Sequence, residues 1–223
     1  MKNFSFVDDL YDEYNECAFL CECAIRNLMA RLTNLQKEME RSSEGYNIID
    51  SVEWRIKSFD STIGKLRRRQ LPMTADSIRS LHDLAGVRIT TPFRDDIAKV
   101  VEMLKQQRSI EVVEEKDYVS NPKENGYMSY HLIINMTFHL SGSEHTIPME
   151  IQIRDMSMDL WASIEHIINY KNKNRSLETV QKFKHLAEIL DSLDNSAIEL
   201  RDSSNINPAT DFIKLDSGDS NEW

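Results

Sequence analysis

From Val7 to Met39 the apolar positions fall at Val7, Leu10, Tyr14, Cys17, Cys21, Ala24, Leu28, Leu32, Leu35 and Met39. Steps of three and four predict one stripe along a long helix. Such a stripe can dock on its own domain or form a seam with another subunit. Ser42-Ser43-Glu44-Gly45 breaks the pattern. Residues 54–69 read as a second helix with Ile56, Phe59, Ile63 and Leu66 on its buried face, and Pro72 ends that segment. Asp76 can cap a short helix running to Leu81.

The period then changes. Val87-Arg88-Ile89-Thr90-Thr91 is rich in β-branched residues and closed by Pro92, which predicts a strand. Residues 95–107 return to helix through Ile97, Val100, Val101 and Leu104. Strands are expected from Ile110 to Tyr118, from Tyr130 to Phe138 and from Thr146 to Arg154, with a hairpin turn at Ser141-Gly142-Ser143. The last strand alternates, with Ile147, Met149, Ile151 and Ile153 on one face and Glu150, Gln152 and Arg154 on the other. Between strands, Asn121-Pro122-Lys123-Glu124-Asn125-Gly126 is dense in turn formers and predicts a loop. Helices are expected at 156–171 and at 177–201, the second with Leu177, Val180, Phe183, Ala187, Leu190 and Leu193 inward, before a polar, frayed tail from Asp202. The fold class is therefore α+β or α/β: a mixed sheet of about five strands flanked by helices, with long helices at both ends. The chain divides into a helical segment at 1–45, a central domain at 46–172, and a C-terminal helix and tail at 173–223.

Length and charge narrow this. With 223 residues there is room for one domain with helical extensions, and 40% hydrophobic residues suffice for a core. No apolar run approaches the roughly 20 residues that span a bilayer, and the acidic N-terminus has no apolar signal core. Three cysteines cannot pair completely, so a reduced, cytoplasmic setting is expected. Cys17 and Cys21 lie on the apolar stripe and read as packing thiols. A net charge of −10 argues against nucleic-acid affinity spread over the surface, but leaves room for a local basic site.

That site has candidates. Residues 54–69 hold Arg55, Lys57, Lys65, Arg67, Arg68 and Arg69 against one acid, Asp60. On a helix, Lys57, Ser61, Lys65 and Arg68 share a face, and cations with a hydroxyl suit an oligophosphate; a solvated helix surface is the alternative. Asp83, at the entrance to the first strand, and Glu150, on the polar face of the last, could together hold one Mg²⁺, or be ordinary surface acids. In the loop at 121–131, Tyr127 could stack on a base while Lys123 and His131 meet phosphates; a plain turn with a packed tyrosine is the other reading. Glu165-His166 could form a proton relay; a packing or helix-surface pair is the other reading, and the favoured one. With six glycines there is neither a G-x-x-x-x-G-K-[ST] nor a G-x-G-x-x-G motif, which argues against P-loop and dinucleotide-binding enzymes.

In order, Arg55-Ile56-Lys57 with Ser61 and Lys65, Asp83-Leu84-Ala85-Gly86-Val87-Arg88, Lys116-Asp117-Tyr118, Asn121-Pro122-Lys123 with Asn125-Gly126-Tyr127 and His131, Glu150-Ile151-Gln152-Ile153-Arg154, and Trp161-Ala162-Ser163-Ile164-Glu165-His166 resemble the synthetase domain of the RelA/SpoT family, and more closely its single-domain small alarmone synthetases. The resemblance runs from about 50 to 171. It implies a nucleotidyltransferase-like fold and a GTP pyrophosphokinase, which moves pyrophosphate from ATP to the 3′-hydroxyl of GTP or GDP and releases AMP, without hydrolase activity. Asp83 and Glu150 would bind Mg²⁺, and Glu150 would also take the 3′-hydroxyl proton. Arg55 and Arg88 would sandwich adenine, and Lys57, Ser61 and Lys65 would hold the ATP phosphates. Tyr127 would stack on guanine, Lys123 and His131 would meet acceptor phosphates, and Asp159, where some relatives have asparagine, would read guanine. A homo-oligomer, a tetramer as in similar enzymes, is expected from the apolar stripes at both ends. The alternative is a catalytically silent nucleotide- or RNA-binding module on the same fold. RNA binding as an added property would use Arg67-Arg68-Arg69.

Overall fold

An amphipathic helix this long needs a surface to cover, and the chain supplies one. The computed structural model describes residues 6–41, 47–171 and 176–204. Helix α1 (Phe6–Arg41) lays its stripe on the chain's own sheet: Cys17, Cys21, Ala24, Ile25, Leu28 and Leu32 are all buried in the main core. Each fully buried leucine or isoleucine contributes about 1.5–3 kcal/mol, so this stripe is spent within the chain and does not need a second copy. Burial pushes the Cys21 thiol up to about 12, with Cys17 beside it adding to the shift; both are packing groups, as expected. The break at Ser42–Gly45 lies outside the described residues.

Residues 54–69 are not one helix. Ser51–Ile56 forms strand β1, and helix α2 begins only at Phe59 and ends at Arg68. Val52, Trp54 and Ile56 alternate with Ser51, Glu53 and Arg55, and β2 (Ala85–Thr91) offers an antiparallel ladder from Ser51↔Thr90 to Ile56↔Ala85. The long-range ladder outweighs the local helical spacing. Ser58 caps α2, its side chain accepting from the Ser61 N–H. Helix α3 (Ala75–Arg79) is capped by Thr74 rather than Asp76, which stands in its first turn.

The remaining elements match the expected order: α4 (Asp96–Lys105), β3 (Ile110–Asp117), β4 (Tyr130–Leu140), β5 (Ser143–Asp155), α5 (Met156–Lys171) and α6 (Leu177–Ser203). The five strands run β1-β2-β5-β4-β3, with β2 and β5 parallel and the other neighbours antiparallel. Period-two alternation gives the sheet two unlike faces. Val87, Ile89, Leu132, Ile134, Met149, Ile151 and Ile153 join the core with α1 and α4. Glu53, Arg55, Gly86, Arg88, His131, Glu150, Gln152 and Arg154 fall on the opposite face, in register across four strands.

Helix α6 builds a second, smaller core. Phe183, Ala187 and Leu190 pack with Trp161, whose indole N–H donates to the Phe183 carbonyl at 2.9 Å. Leu177 (84% exposed) and Leu193 (58% exposed) do not face inward as their spacing suggested. The inward row passes through Asp194 instead, which is 3% exposed and 2.9 Å from Arg94. Arg94 also pairs with Asp191 at 2.6 Å, and Arg201 with Asp95 at 2.8 Å. These ion pairs tie α6 to the turn between β2 and α4. Asp155 lies at the same junction; burial pushes its carboxyl up to about 6, although it accepts from the Met158 N–H at 2.7 Å and so starts α5. Among the described residues no helix is long and apolar enough to cross a membrane.

Candidate active site

The polar face of the sheet carries the expected site residues in two cross-strand rows. One row is Arg55, Gly86 and Glu150; the next is Glu53, Arg88, Gln152 and His131. Gly86 leaves the space between Arg55 and Glu150 open, and a cleft of about 210 Å³ is lined there by Arg55, Asp83, Gly86, Arg88, Glu150 and Gln152. The two arginines proposed for adenine and the two acids proposed for metal therefore share one opening.

Lys57 is not on the helix with Ser61 and Lys65, yet the lysines converge. Lys57 Nζ lies 3.2 Å and Lys65 Nζ 2.6 Å from separate oxygens of Asp83. Burial pushes the Asp83 carboxyl up, but hydrogen bonds and charge from Lys65 and Lys57 outweigh it and hold the group below its usual value. Ser61 sits in the first turn of α2, its backbone N–H taken by the Ser58 side chain, and the helix dipole adds to the attraction for a phosphate. Arg68 is exposed at the far end of α2 and does not join this cluster.

Glu150 is bound from the other side. His131 Nδ1 lies 3.0 Å from its Oε1. That hydrogen bond holds the Glu150 carboxyl below its usual value, against the opposing push of burial and of the Asp83 charge. The carboxylates of Asp83 and Glu150 are close enough to feel one another. Among the described residues no group of three His, Cys, Asp or Glu that could hold a metal comes together; the two acids of this cleft could hold a hard cation only with phosphate and water supplying its remaining oxygens.

Beyond His131 lies the loop at 121–127. Tyr127 Oη is 2.9 Å from His131 Nε2, and its ring packs edge-on against Trp161 at 5.9 Å and Tyr118 at 6.1 Å. Lys123 Nζ stands 4.5 Å from the Tyr118 ring centroid and 4.8 Å from that of Tyr127. Gly126 has φ +85°, and a Cβ there would lie 2.6 Å from Ala187 Cβ, so α6 fixes this loop by direct contact. His131 was expected at acceptor phosphates; both its nitrogens have protein partners here. Asp159 is 3.3 Å from both Arg88 and Arg154, between the two halves of the site.

Sequence reasoning missed Arg154 as a site residue. It is 5% exposed and donates to Tyr127, Gln152 and Asp159. The signal was present: a cation two and four residues from Gln152 and Glu150 on the polar face of a strand. Tyr118 and Trp161, which frame Tyr127, were likewise given no role.

Fold and cleft together define a mixed-sheet domain with two acids in one opening, Asp83 held by two lysines and Glu150 by His131, beside an aromatic loop. The pattern described as "Region found in RelA / SpoT proteins" matches residues 54–175, more than half of the chain. The chain belongs to the RelA/SpoT family. It is 41% identical over 159 residues to the GTP pyrophosphokinase YwaC of Bacillus subtilis (70% of this chain, 76% of YwaC) and 34% identical over 179 residues to YjbM of the same organism (80% and 83%). Among solved structures, small alarmone synthetase 2 of B. subtilis superposes with a TM-score of 0.77 at 35% identity, covering 86% of this chain and 99% of that one. Small alarmone synthetase 1 bound to its product pppGpp gives 0.75 at 32% identity, covering 83% and 95%. The expected fold class and family hold.

Proposed function

We propose that this cleft transfers pyrophosphate from ATP to the ribose 3′-hydroxyl of GTP or GDP, forming pppGpp or ppGpp and releasing AMP. The 3′-oxygen attacks the β-phosphorus of ATP, the bond from that phosphorus to the α-bridging oxygen breaks, and AMP leaves with the electron pair. The hydroxyl proton goes to Glu150. The observation that carries this reading is Glu150 itself, its carboxyl held below its usual value by His131 and set in the same opening as Asp83, which in turn holds the lysine pair. A hydroxyl is a poor nucleophile until a positioned base takes its proton.

Arg55 and Arg88 stand on the donor wall, where guanidinium planes can stack on adenine. Lys57, Lys65 and the start of α2 with Ser61 take the ATP phosphates. Tyr127 offers guanine a stacking surface, Lys123 meets acceptor phosphate, and Asp159 can accept from guanine N1–H and the 2-amino group. His131 serves the acceptor wall through Glu150. Asp83 and Glu150 would hold Mg²⁺, which neutralises charge on the transferring phosphates. The setting is cytoplasmic, where both nucleotides are found. Assembly into a homotetramer belongs to the same reading; the buried stripe of α1 is used within the chain, while Tyr11 and Phe19 on α1 and Ile189, Leu193 and Leu200 on α6 stand exposed. Light scattering should then exceed the 26.0 kDa of one chain; a 26.0 kDa species alone would rule assembly out.

The test of the reaction is product chromatography. Purified protein with ATP, GTP and Mg²⁺ should give AMP and a guanosine pentaphosphate in equal amounts on anion exchange. Neither product under any condition rejects the reading.

A further inference from the structure

At Gly126 the loop that carries Lys123 and Tyr127 lies directly against the backbone of α6. A Cβ there would stand 2.6 Å from Ala187 Cβ, 3.3 Å from Lys184 Cα and 3.4 Å from the Phe183 carbonyl oxygen. Groups packed this closely transmit a displacement, so a shift of α6 moves the loop. Trp161 makes the same link from α5. Its ring lies 5.9 Å from that of Tyr127 and 5.5 Å from that of Phe183, and its indole N–H donates to the Phe183 carbonyl. The place of Tyr127 is therefore set by the place of α6.

What holds α6 is less apolar than its length suggests. Its buried residues are Phe183, Ala187, Leu190 and Asp194, one row at steps of four, three and four. The row ends on a carboxylate, and its partner is Arg94, in the turn between β2 and α4. One guanidinium takes both acids of the helix. Nη1 donates to Asp191 Oδ1 at 2.6 Å, while Nε and Nη2 donate to Asp194 Oδ2 at 3.0 and 2.9 Å. Nη2 also reaches the Asp191 carbonyl at 3.3 Å. A planar charged fork suits this set of acceptors, and an ammonium group does not. Arg94 follows β2, the strand that carries Arg88, so the clamp ties α6 to the strand that builds the donor wall.

We propose that Arg94 is a positioning residue for the acceptor nucleotide: it clamps α6 at Asp191 and Asp194, and α6 in turn seats Gly126 so that Tyr127 stands where the acceptor base stacks. Arg94 is outside the cleft and acts through the helix. Ala187, which touches the loop, is about one turn from Asp191, so seat and clamp are adjacent on α6. Without the guanidinium, the carboxylates of Asp191, Asp194 and Asp155, all within 3.9 Å of it, face one another unbalanced. Their repulsion drives the helix from the sheet. The acceptor loop then loses its floor, while the donor wall on β1, β2 and α2 keeps its own contacts.

The kinetic half of this rests on the assignment of Tyr127 to the acceptor base. Arg94→Gln should raise KM for GTP by about 5–50-fold, within the usual span of coupling between separate sites. KM for ATP, and kcat at saturating GTP, should stay within about threefold. A purely structural role would lower the active fraction and leave both KM values in place. The other half needs no nucleotide. Gly126 N–H donates to the Lys123 carbonyl at 2.8 Å, and Lys123 N–H to that of Tyr127 at 3.1 Å. Hydrogen exchange over 121–128 therefore reports whether the loop keeps its seat. In Arg94→Gln it should quicken by about tenfold or more, with β4 and β5 unchanged. Absence of pyrophosphate transfer would leave that exchange result intact, so the two readings fail separately. Unaltered exchange over 121–128, or KM for ATP rising as much as KM for GTP, overturns the proposal. Should Arg94→Gln not fold, Asp191→Asn decides: Asp191 is 42% exposed, and its loss cuts one arm while keeping the Arg94–Asp194 pair. It should raise KM for GTP alone, by about 2–10-fold, and a variant with wild-type KM and exchange overturns the proposal.

Discussion

Glu150→Gln is expected to lower kcat by about 10²–10⁴-fold, the usual contribution of a positioned general base, with little change in thermal stability. The amide oxygen can still accept from His131 Nδ1–H, and the side chain stands at the edge of a cleft, 22% exposed, rather than in the core. What the variant loses is the capacity to take a proton. Binding of ATP and GTP, read by equilibrium dialysis, should stay within a few-fold of the wild type, because neither nucleotide depends on Glu150 for its base or for most of its phosphate contacts. A variant that turns over at full rate would remove Glu150 from the role of base. One that melts far below the wild type would make it a structural residue.

Asp83→Asn should separate binding from turnover in a different way. Asp83 pairs with both Lys57 and Lys65, the cations assigned to the ATP phosphates. The entering triphosphate competes with this carboxylate for them. An asparagine carries no charge to hold two ammonium groups, so the lysines are released towards the phosphates. In EDTA, ATP affinity of the variant should therefore be kept or tightened by up to about tenfold, the equivalent of one charge-assisted hydrogen bond of about 1.5 kcal/mol. Turnover with Mg²⁺ should fall by about a hundredfold or more, since metal-assisted charge stabilisation is worth several kcal/mol. Loss of ATP binding in EDTA would show that Asp83 organises the lysines for ATP instead of competing for them.

Elements whose pattern is set locally were legible in the sequence. The α1 stripe, the alternation of β5 and the turn formers at 121–126 each carry their own period, and each stands where expected. Strand β1 was not legible, because Ile56, Phe59, Ile63 and Leu66 fit a helical spacing and only the distant β2 supplies the ladder that draws Ser51–Ile56 away from it. The inward face of α6 was misread for a related reason: Leu193 is the apolar choice, but Arg94, about a hundred residues earlier, makes Asp194 the buried one. The site followed the same division. Lys57 and Lys65 were paired by a helix that does not contain Lys57, yet they meet because Asp83 attracts both. Arg154 was legible as a cation on the polar face of β5, but its partners Tyr127 and Asp159 come from the preceding loop and from α5, which no local pattern gives.

The central claim is that Asp83 and Glu150 grip one divalent ion between an ATP wall and a guanosine wall. It is tested most directly by crystals grown with a non-hydrolysable ATP analogue, GTP and Mn²⁺ in place of Mg²⁺, with anomalous scattering locating the metal. The account predicts one peak at about 2.0–2.3 Å from an oxygen of each carboxylate, phosphates of the analogue on Lys57 and Lys65, and guanine against Tyr127. Nucleotides bound with both carboxylates turned away from the metal would contradict it.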